Sequence, residues 1–234
     1  MTIREAVFED IEAIAELYVS NWKTTYSGLL PEEYLNHLTV PYSAEKWSAF
    51  LQQPGHCLLV ARDASRFLGF GACSPDPELS DCLYLDSLHI CADARGKGVG
   101  TGLIRAIGKH AVCEGYAKMS LCIVRGNERA RALYTRLGAV HHCFFTDDFG
   151  GALSSSEKLL WTDLSVFQQA ALSLCPCPPR SRASGCRDAK IRYPLSRGYR
   201  IFLCSLSLNP RQPGRRSRPR RRRAGSVPAH SALR

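Results

Sequence analysis

The sequence predicts a mixed α/β fold followed by a basic tail. The first observation is the stretch 83–112, where an apolar run, a glycine-rich connection and a segment with helical periodicity follow one another. The second is the stretch 118–140, which repeats the order of strand and helix. Strands that alternate with amphipathic helices are typical of a layered α/β domain.

Charge divides the chain into two parts. The 234 residues carry 31 Lys and Arg against 21 Asp and Glu, a net charge of +10, yet 16 of the basic residues and only Asp188 among the acids lie from Ser165 onward. The first part is therefore mildly acidic and has the size of one domain, which we assign to residues 1–165. Residues 166–234 are rich in Arg, Pro and Ser, and we expect them to be disordered because they bury too little apolar surface to offset chain entropy.

Two interpretations of the tail remain open. An arginine-rich arm could bind nucleic acid or another acidic surface, with an affinity that falls steeply with salt. Alternatively, the tail is an extension produced by a shifted reading frame, because the regular pattern of the domain stops at its border. Outside the tail we expect no nucleic-acid partner.

The elements of the domain follow from its periodicity and turn residues. A strand at 2–7 precedes a helix at 8–22, and further helical segments begin at Pro31 and at a cap formed by Ser43. Two strands at 56–62 and 66–73 suggest a hairpin. The remaining elements are a strand at 83–90, a helix at 101–112 that ends at Gly115, a strand at 119–124, a helix capped by Asn127, and strands at 141–147 and 157–163.

The glycine-rich connection predicts a diphosphate site. Residues 95–100 read Arg-Gly-Lys-Gly-Val-Gly at the mouth of a predicted helix. Glycines let the backbone approach a bulky anion, while unpaired first-turn amides and the helix dipole attract it. The spacing fits neither a Walker loop nor the dinucleotide fingerprint, since no Gly-Lys-Ser/Thr occurs here and Leu103 stands where the third glycine would be.

Two motifs resemble the signatures of the GNAT superfamily, the acetyl-CoA-dependent N-acetyltransferases. Arg95-x-x-Gly98-x-Gly100 is similar to the family's Arg/Gln-x-x-Gly-x-Gly/Ala loop, whose amides bind the CoA pyrophosphate. The second motif, Asn-x-x-Ala-x-x-x-Tyr-x-x-x-Gly, is matched by Asn127, Ala130, Tyr134 and Gly138. The resemblance covers residues 1 to about 165, and 22–38 also looks like a common bacterial subgroup. It implies the GNAT fold, with a mostly antiparallel sheet splayed between strands 4 and 5.

The resemblance also implies acetyl-CoA as the cosubstrate. The pantetheine arm would pair with the splayed end of strand 4, where the amide of Leu88 would polarise the thioester carbonyl. Asn127 would hold the cofactor arm, directly or through water, although it could also serve as a helix cap. The implied cofactor-binding residues are Leu88, His89, Ile90, Arg95, Gly96, Lys97, Gly98, Val99, Gly100, Thr101, Asn127, Ala130 and Arg131. Arg131 could contact the phosphates of CoA, or its charge could simply be solvated, and both interpretations remain open.

Two residues are implied in catalysis. Tyr134 would be the general acid that protonates the departing thiolate, and its rival role is that of a core aromatic. Asp86 would be the base that deprotonates the incoming ammonium, and its rival is a water relay. Strand alternation places Asp86 on the same face as Leu88. It directs the His89 side chain to the other face, so we expect this imidazole to play no part in catalysis.

The acceptor would be a primary amine. Trp22 and Tyr26 would shape its pocket, and Glu32, Glu33 and Asp86 would attract a cation. The leading function is transfer of the acetyl group to a small-molecule amine by direct attack in a ternary complex. The alternatives are acetylation of a protein N-terminus or lysine, and a non-catalytic acyl-CoA-binding module, which would tolerate loss of the loop and of Tyr134.

Cysteine spacing and hydropathy set the remaining expectations. The eleven cysteines show no paired metal spacing, since Cys175 and Cys177 form only a CxC, so we expect reduced thiols and no metal. No apolar run approaches the ~18 residues of a membrane span, and Met1 leads into a strand rather than a signal peptide. We therefore expect a cytoplasmic protein without a membrane partner, which could form a homodimer.

Overall fold

The computed structural model describes residues 1–168, which form seven strands and five helices. The strands are β1 (Thr2–Glu5), β2 (Cys57–Asp63), β3 (Arg66–Pro75), β4 (Cys82–Ile90), β5 (Lys118–Val124), β6 (Val140–Phe149) and β7 (Ala152–Trp161). The helices are α1 (Ile11–Tyr26), α2 (Glu32–His37), α3 (Val40–Gln52), α4 (Val99–Cys113) and α5 (Glu128–Arg136). Each helix of this part of the chain is too short or too polar to span a membrane.

One sheet joins all seven strands in the order β1-β2-β3-β4-β5-β7-β6. Neighbouring strands are antiparallel except β4 and β5, which run parallel. The predicted hairpin is confirmed as β2 and β3, which pair from Cys57 opposite Cys73 to Asp63 opposite Arg66. The mixed, mostly antiparallel sheet is therefore the one expected.

Helices cover both faces of the sheet and create two apolar cores. The α4 core lies between the sheet and helices α4 and α5, and Leu103, Ile104 and Ile107 are fully buried in it. The α1 core lies under α1, α2 and α3, where Ile14 and Trp47 are fully buried. Each such side chain contributes about 1.5–3 kcal/mol by leaving water. The two cores hold the sheet between two helical layers.

The first helix begins later than its periodicity predicts. Phe8–Asp10 form a 3-10 turn, and α1 starts at Ile11. The buried carboxylate of Asp10 accepts hydrogen bonds from Arg4 at 2.6 Å and Arg62 at 3.1 Å. This ion-paired turn ties the start of α1 to β1 and β2.

The predicted cap at Ser43 is wrong. Helix α3 begins at Val40, where the Oγ1 of Thr39 accepts from the Tyr42 amide at 3.4 Å. Pro41 occupies the first turn, where a missing N–H costs no hydrogen bond. Ser43 lies inside the helix and is fully buried.

Two glycines end the helices beside the predicted site. Gly115 after α4 and Gly138 after α5 have φ angles of +86° and +94°. After α5 the amides of Gly138 and Ala139 donate to the carbonyls of Thr135 and Tyr134, both at 3.0 Å, which is the Schellman pattern. The prediction for Gly115 is confirmed, and Gly138 has a structural reason to be part of its motif.

The packed domain reaches at least to Phe167. Its ring is buried in the α4 core, 5.7 Å from the Trp161 ring between centroids. It lies so close to Gly108 of α4 that a Cβ at that position would collide with it. The tail predicted for residues 166–234 lies, beyond residue 168, outside the described residues.

Candidate active site

Strands β4 and β5 pair over four residues and then diverge. The ladder runs from Cys82 opposite Lys118 to Leu85 opposite Leu121, while β4 continues to Ile90 and β5 to Val124. The sheet therefore opens at the carboxyl ends of these two strands. The splay predicted between strands 4 and 5 is confirmed.

The register of β3 and β4 directs the backbone of Leu88 and Ile90 into this opening. The Cys91 amide donates to the Leu68 carbonyl at 2.9 Å, and hydrogen-bonded pairs alternate along an antiparallel ladder. The backbone groups of His89 therefore face β3, whereas those of Leu88 and Ile90 face away from it. The backbone of Leu88 and the amide of Ile90 can therefore pair with an extended ligand that contains amides, whereas the Ile90 carbonyl already accepts hydrogen bonds from Asn21 and Arg95.

The His89 side chain packs on the opposite face of the strand from Leu88. Its ring stacks on Phe70 and meets Tyr18 edge-on, each with centroids 5.1 Å apart, whereas Leu88 packs against the α4 core. Burial lowers the pKa of His89 to about 3. The imidazole is therefore neutral and belongs to the packing, in line with its predicted orientation.

The loop before α4 presents its backbone to open space. Gly96 and Gly98 have φ angles of +76° and +83°, and a Cβ at either would meet nothing within 4 Å. The first helical hydrogen bond runs from the Gly102 amide to the Gly98 carbonyl at 2.9 Å. The amides of 99–101 thus have no partner within the helix, and together they can bind an anion.

Three elements of the site converge at Gly100. A Cβ built there would lie 3.7 Å from both Ile90 of β4 and Leu133 of α5. The loop, the splayed strand and helix α5 consequently border one cleft.

Arg95 is held by α1. Its guanidinium donates to the Asn21 Oδ1 at 2.6 Å and to the Ile90 carbonyl at 3.3 Å, and the Asn21 amide donates to the same carbonyl at 3.2 Å. Asn21 is buried although it is polar. Sequence reasoning missed Asn21, because its pairing with the loop joins residues 74 positions apart.

Tyr26, Asn127 and Tyr134 form one cluster beside the splay. The Asn127 Oδ1 accepts from the Ala130 amide at 3.3 Å, which confirms the predicted helix cap. Burial raises the pKa of Tyr26 and hydrogen bonding with the Asn127 side chain opposes this, while Tyr26 adds to the raised pKa of Tyr134. Burial raises the pKa of Tyr134 well above its ordinary value, so its hydroxyl keeps its proton at neutral pH and can serve as a proton donor.

Arg131 is engaged in an ion pair. Its guanidinium donates to the buried carboxylate of Glu157 on β7 at 2.9 Å, and the His141 ring lies 2.9 Å from the other oxygen. Burial alone would raise the pKa of Glu157, but hydrogen bonds from Arg131 and His141 hold it below its usual value. Arg131 is therefore an ion-paired cation whose side chain stays 43% exposed. Its contact with a CoA phosphate stays a prediction, and the sequence carried no signal for Glu157.

A match to a family model identifies the family of this chain. Residues 12–139 match the model of the acetyltransferase (GNAT) family, which spans the splay, the glycine loop and helix α5. The chain belongs to the GNAT acetyltransferase family. It is accordingly an acyltransferase that uses acetyl-CoA as its cosubstrate.

Curated relatives of this GNAT protein are bacterial and animal N-acetyltransferases. It is 28% identical to the uncharacterized N-acetyltransferase YuaI of Bacillus subtilis over 72% of this chain and 96% of that protein. It is 28% identical to L-2,4-diaminobutyric acid acetyltransferase of Marinococcus halophilus over 39% of this chain and 57% of the relative. Thialysine N-epsilon-acetyltransferase of Bos taurus is 30% identical over 26% of this chain and 41% of its own length.

Solved structures share the GNAT fold. The PaiA N-acetyltransferase of Thermoplasma acidophilum, in complex with coenzyme A, superposes with a TM-score of 0.55 at 23% identity, over 67% of this chain and 98% of that one. An N-acetyltransferase of Staphylococcus aureus gives 0.59 at 21% identity, over 70% and 98%. At these identities, the solved structures show that the chain shares their fold.

A bulge in β4 changes the predicted orientation of Asp86. The ladder with β3 shifts register between Ala72 and Cys73, and Asp86 lies in the shift. Leu85 and Leu88 both pack toward the α4 core, so alternation is broken between them and Asp86 does not share a face with Leu88. That expectation is wrong because it assumed a regular strand. The carboxylate is half-buried and accepts from the Ser87 hydroxyl at 2.9 Å.

Aromatic side chains at the C-terminal end of α1 pack against one another and against Tyr34 of α2. The Trp22 ring lies 4.7 Å from Tyr26 and 6.2 Å from Tyr34 between centroids, and Trp22 is itself buried in the α1 core. Burial raises the pKa of Tyr34, and the buried carboxylate of Asp147 is one of the charges that add to this effect. Glu32 and Glu33 are exposed in the first turn of α2. Asp147, on the predicted last hairpin, was not singled out by sequence.

Proposed function

We propose that this enzyme transfers the acetyl group of acetyl-CoA to a primary amine on a small cationic molecule, by direct attack in a ternary complex. The observation that carries the proposal is the splayed end of β4, where the backbone of Leu88 and Ile90 faces away from β3 beside the cluster of Tyr26, Asn127 and Tyr134. A thioester-bearing arm laid along this edge would have hydrogen-bond partners on one side and an acid on the other.

The glycine loop would hold the diphosphate of acetyl-CoA. The open space over Gly96 and Gly98 and the unpaired amides of 99–101 fit a bulky anion, as does the positive end of the α4 dipole. Lys97, exposed in the same loop, adds a cation. Arg95 would support the loop through Asn21, while Arg131 would contribute through its charge near the rim.

Leu88, Asn127 and Tyr134 would act on the reacting groups. The Leu88 amide would donate to the thioester carbonyl oxygen and stabilise the charge that develops there. Tyr134 would pass its proton to the departing sulfur, since burial keeps that proton in place at neutral pH. Asn127 would position both the arm and the Tyr26 hydroxyl.

The acceptor pocket would lie on the α1 side of the splay. Trp22, Tyr26 and Tyr34 offer aromatic faces that attract an ammonium, and Asp147 adds a buried negative charge beside Tyr34. The relatives named for diaminobutyric acid and thialysine act, by those names, on amino acids with a side-chain amine. We infer a short diamino compound as the acceptor class. Asp86, or a water beside it, would take the proton of the ammonium.

An amine panel tests this function directly. The full-length enzyme is incubated with acetyl-CoA and one amine at a time, and released thiol is measured. We expect 2,4-diaminobutyrate or lysine analogues to give the highest kcat/KM, ahead of monoamines without a second charge. Turnover confined to peptides would instead support protein acetylation. Tight binding of acetyl-CoA without turnover of any amine would support the non-catalytic module.

A further inference from the structure

A second cluster of reactive side chains lies at the far end of α4 from the glycine loop. Cys57 on β2, Cys73 on β3 and His110 in the last turn of α4 bring their ligand atoms within 4.8 Å of one another. Within residues 1–168 this is the one group of three or more His, Cys, Asp or Glu side chains close enough together to hold a metal ion. Helix geometry puts His110 roughly 18 Å from Gly98, so the cluster is separate from the acetyl-transfer site.

The sheet fixes the two thiols side by side. Cys57 and Cys73 are directly opposite each other in the antiparallel ladder of β2 and β3, and both belong to the α4 core. His110 approaches them from the helix that covers this face. Three donors on three elements cannot show up as a spacing in the sequence, which is why the cysteine pattern predicted no metal.

A cavity gives the cluster access to solvent. It has a volume of about 410 Å³ and is lined by residues that include Cys57, His110, Glu5 and Glu114. Cys73 does not line this cavity and is fully buried. The cavity supplies an entry path, room for a water as a fourth ligand, and two carboxylates that favour a cation.

We propose that Cys57, Cys73 and His110 bind one zinc ion, whose fourth position opens to this cavity. Zinc prefers thiolate and imidazole donors in a tetrahedral arrangement, with Zn–S of ~2.3 Å and Zn–N of ~2.0 Å, which sets the donors about 3.4–3.8 Å apart. The present separations, all within 4.8 Å, need a contraction of at most about 1.4 Å. The ion clamps the end of α4 to β2 and β3.

Zinc binds cysteines as thiolates, so binding at this cluster would release protons and would weaken as pH falls.

Cobalt titration of the full-length protein tests the site. Protein freed of metal with a chelator and kept in a non-thiol reductant is titrated with Co²⁺, whose thiolate complexes show charge-transfer absorption and visible bands typical of tetrahedral geometry. We expect one Co²⁺ per chain, displaced by Zn²⁺, and a higher Tm in the presence of Zn²⁺. His110→Gln and Cys57→Ser should each weaken binding at least about tenfold.

Matched variants separate this site from other cysteines. Cys113→Ser, an exposed thiol one turn farther along α4, and the double variant Cys175→Ser/Cys177→Ser should bind Co²⁺ like the wild type. His110→Cys keeps a donor atom and should restore binding that His110→Gln loses. Absence of charge-transfer bands, Co²⁺ affinity unchanged in His110→Gln, or bands lost in Cys175→Ser/Cys177→Ser would overturn the proposal. So would a peptide map in which Cys57 and Cys73 form a disulfide in the purified protein.

Discussion

The guanidinium of Arg95 donates to the amide oxygen of Asn21 at 2.6 Å, and both side chains meet the carbonyl of Ile90. Helix α1, the end of β4 and the first residue of the glycine loop are thereby tied at one point. Arg95 is the first residue of the loop motif, and its contacts in this structure are to the protein. We infer that it acts by fixing the loop that presents the amides of 99–101.

Replacement of Asn21 should loosen the glycine loop. Asn21→Ala removes two hydrogen bonds, one of them with a charged group, and leaves Arg95 only its bond to the Ile90 carbonyl, so we expect the free energy of unfolding to fall by about 1–3 kcal/mol. Acetyl-CoA binding measured by calorimetry should weaken several-fold. Ser20→Ala, on the exposed face of the same helix, is the control and should change neither quantity.

Side chains at Gly98 should obstruct the diphosphate site. Gly98→Val points its Cβ into the open space over the loop, and the positive φ adds about 1–3 kcal/mol of strain. Gly98→Asn occupies the same space with a residue that tolerates a left-handed backbone. Both variants should bind acetyl-CoA at least about tenfold more weakly in calorimetry, whereas Gly100→Ala, whose Cβ makes ordinary contacts, should bind it normally. Wild-type affinity in Gly98→Asn would refute the proposed role of the loop.

The order of elements could be predicted because it depends on local signals. The glycines at 98, 115 and 138 mark a helix start and two helix ends, and each adopts the positive φ that only glycine takes without cost. The Asn127 cap likewise acts on its own helix. Such interactions join residues a few positions apart, so the sequence shows them.

The site could be predicted only in part, because its remaining contacts join distant residues. Asn21 meets Arg95, and Glu157 meets Arg131, through pairings that only the packed sheet creates. The orientation of Asp86 was mispredicted because a bulge inserts one residue into β4, and the sequence carries no mark of it. The homodimer, the cytoplasmic location and a nucleic-acid role for the tail stay predictions.

The proposed role of Asp86 as the general base is tested by the pH dependence of turnover. If Asp86 accepts the proton of the ammonium, Asp86→Asn should remove the acidic limb of the kcat/KM profile and recover part of its rate at high pH, where free amine is abundant. A profile of unchanged shape would favour a water relay or another carboxylate.

The buried pair Asp76 and Lys158 should make stability depend on pH. The Lys158 ammonium lies 2.8 Å from the Asp76 carboxylate, which also accepts from the Ser120 hydroxyl. Burial alone would raise the pKa of Asp76, but these hydrogen bonds lower it below its unfolded value. The stabilisation is therefore complete above the unfolded pKa and is lost as pH falls through the folded pKa.

Asp76→Asn should lower the free energy of unfolding at pH 7 by about 1–3 kcal/mol, because Lys158 would keep only the partly exposed Glu78 carboxylate, 3.2 Å away, as a countercharge. The acid-side loss of stability should also become shallower in denaturant titrations between neutral and acidic pH. Asp81→Asn changes an exposed carboxylate and is the control. Equal pH dependence in the wild type and Asp76→Asn would contradict this account.

Steady-state kinetics of Tyr134→Phe, combined with calorimetry of acetyl-CoA binding, tests the central claim that Tyr134 supplies the proton for acetyl transfer. The substitution removes one hydroxyl from a buried ring packed edge-on against Trp161, so the fold should survive. We predict a kcat lower by ~10²-fold or more with acetyl-CoA affinity little changed, and wild-type behaviour in the control Tyr116→Phe. A Tyr134→Phe enzyme with the kcat of the wild type would contradict the claim and make Tyr134 a core aromatic.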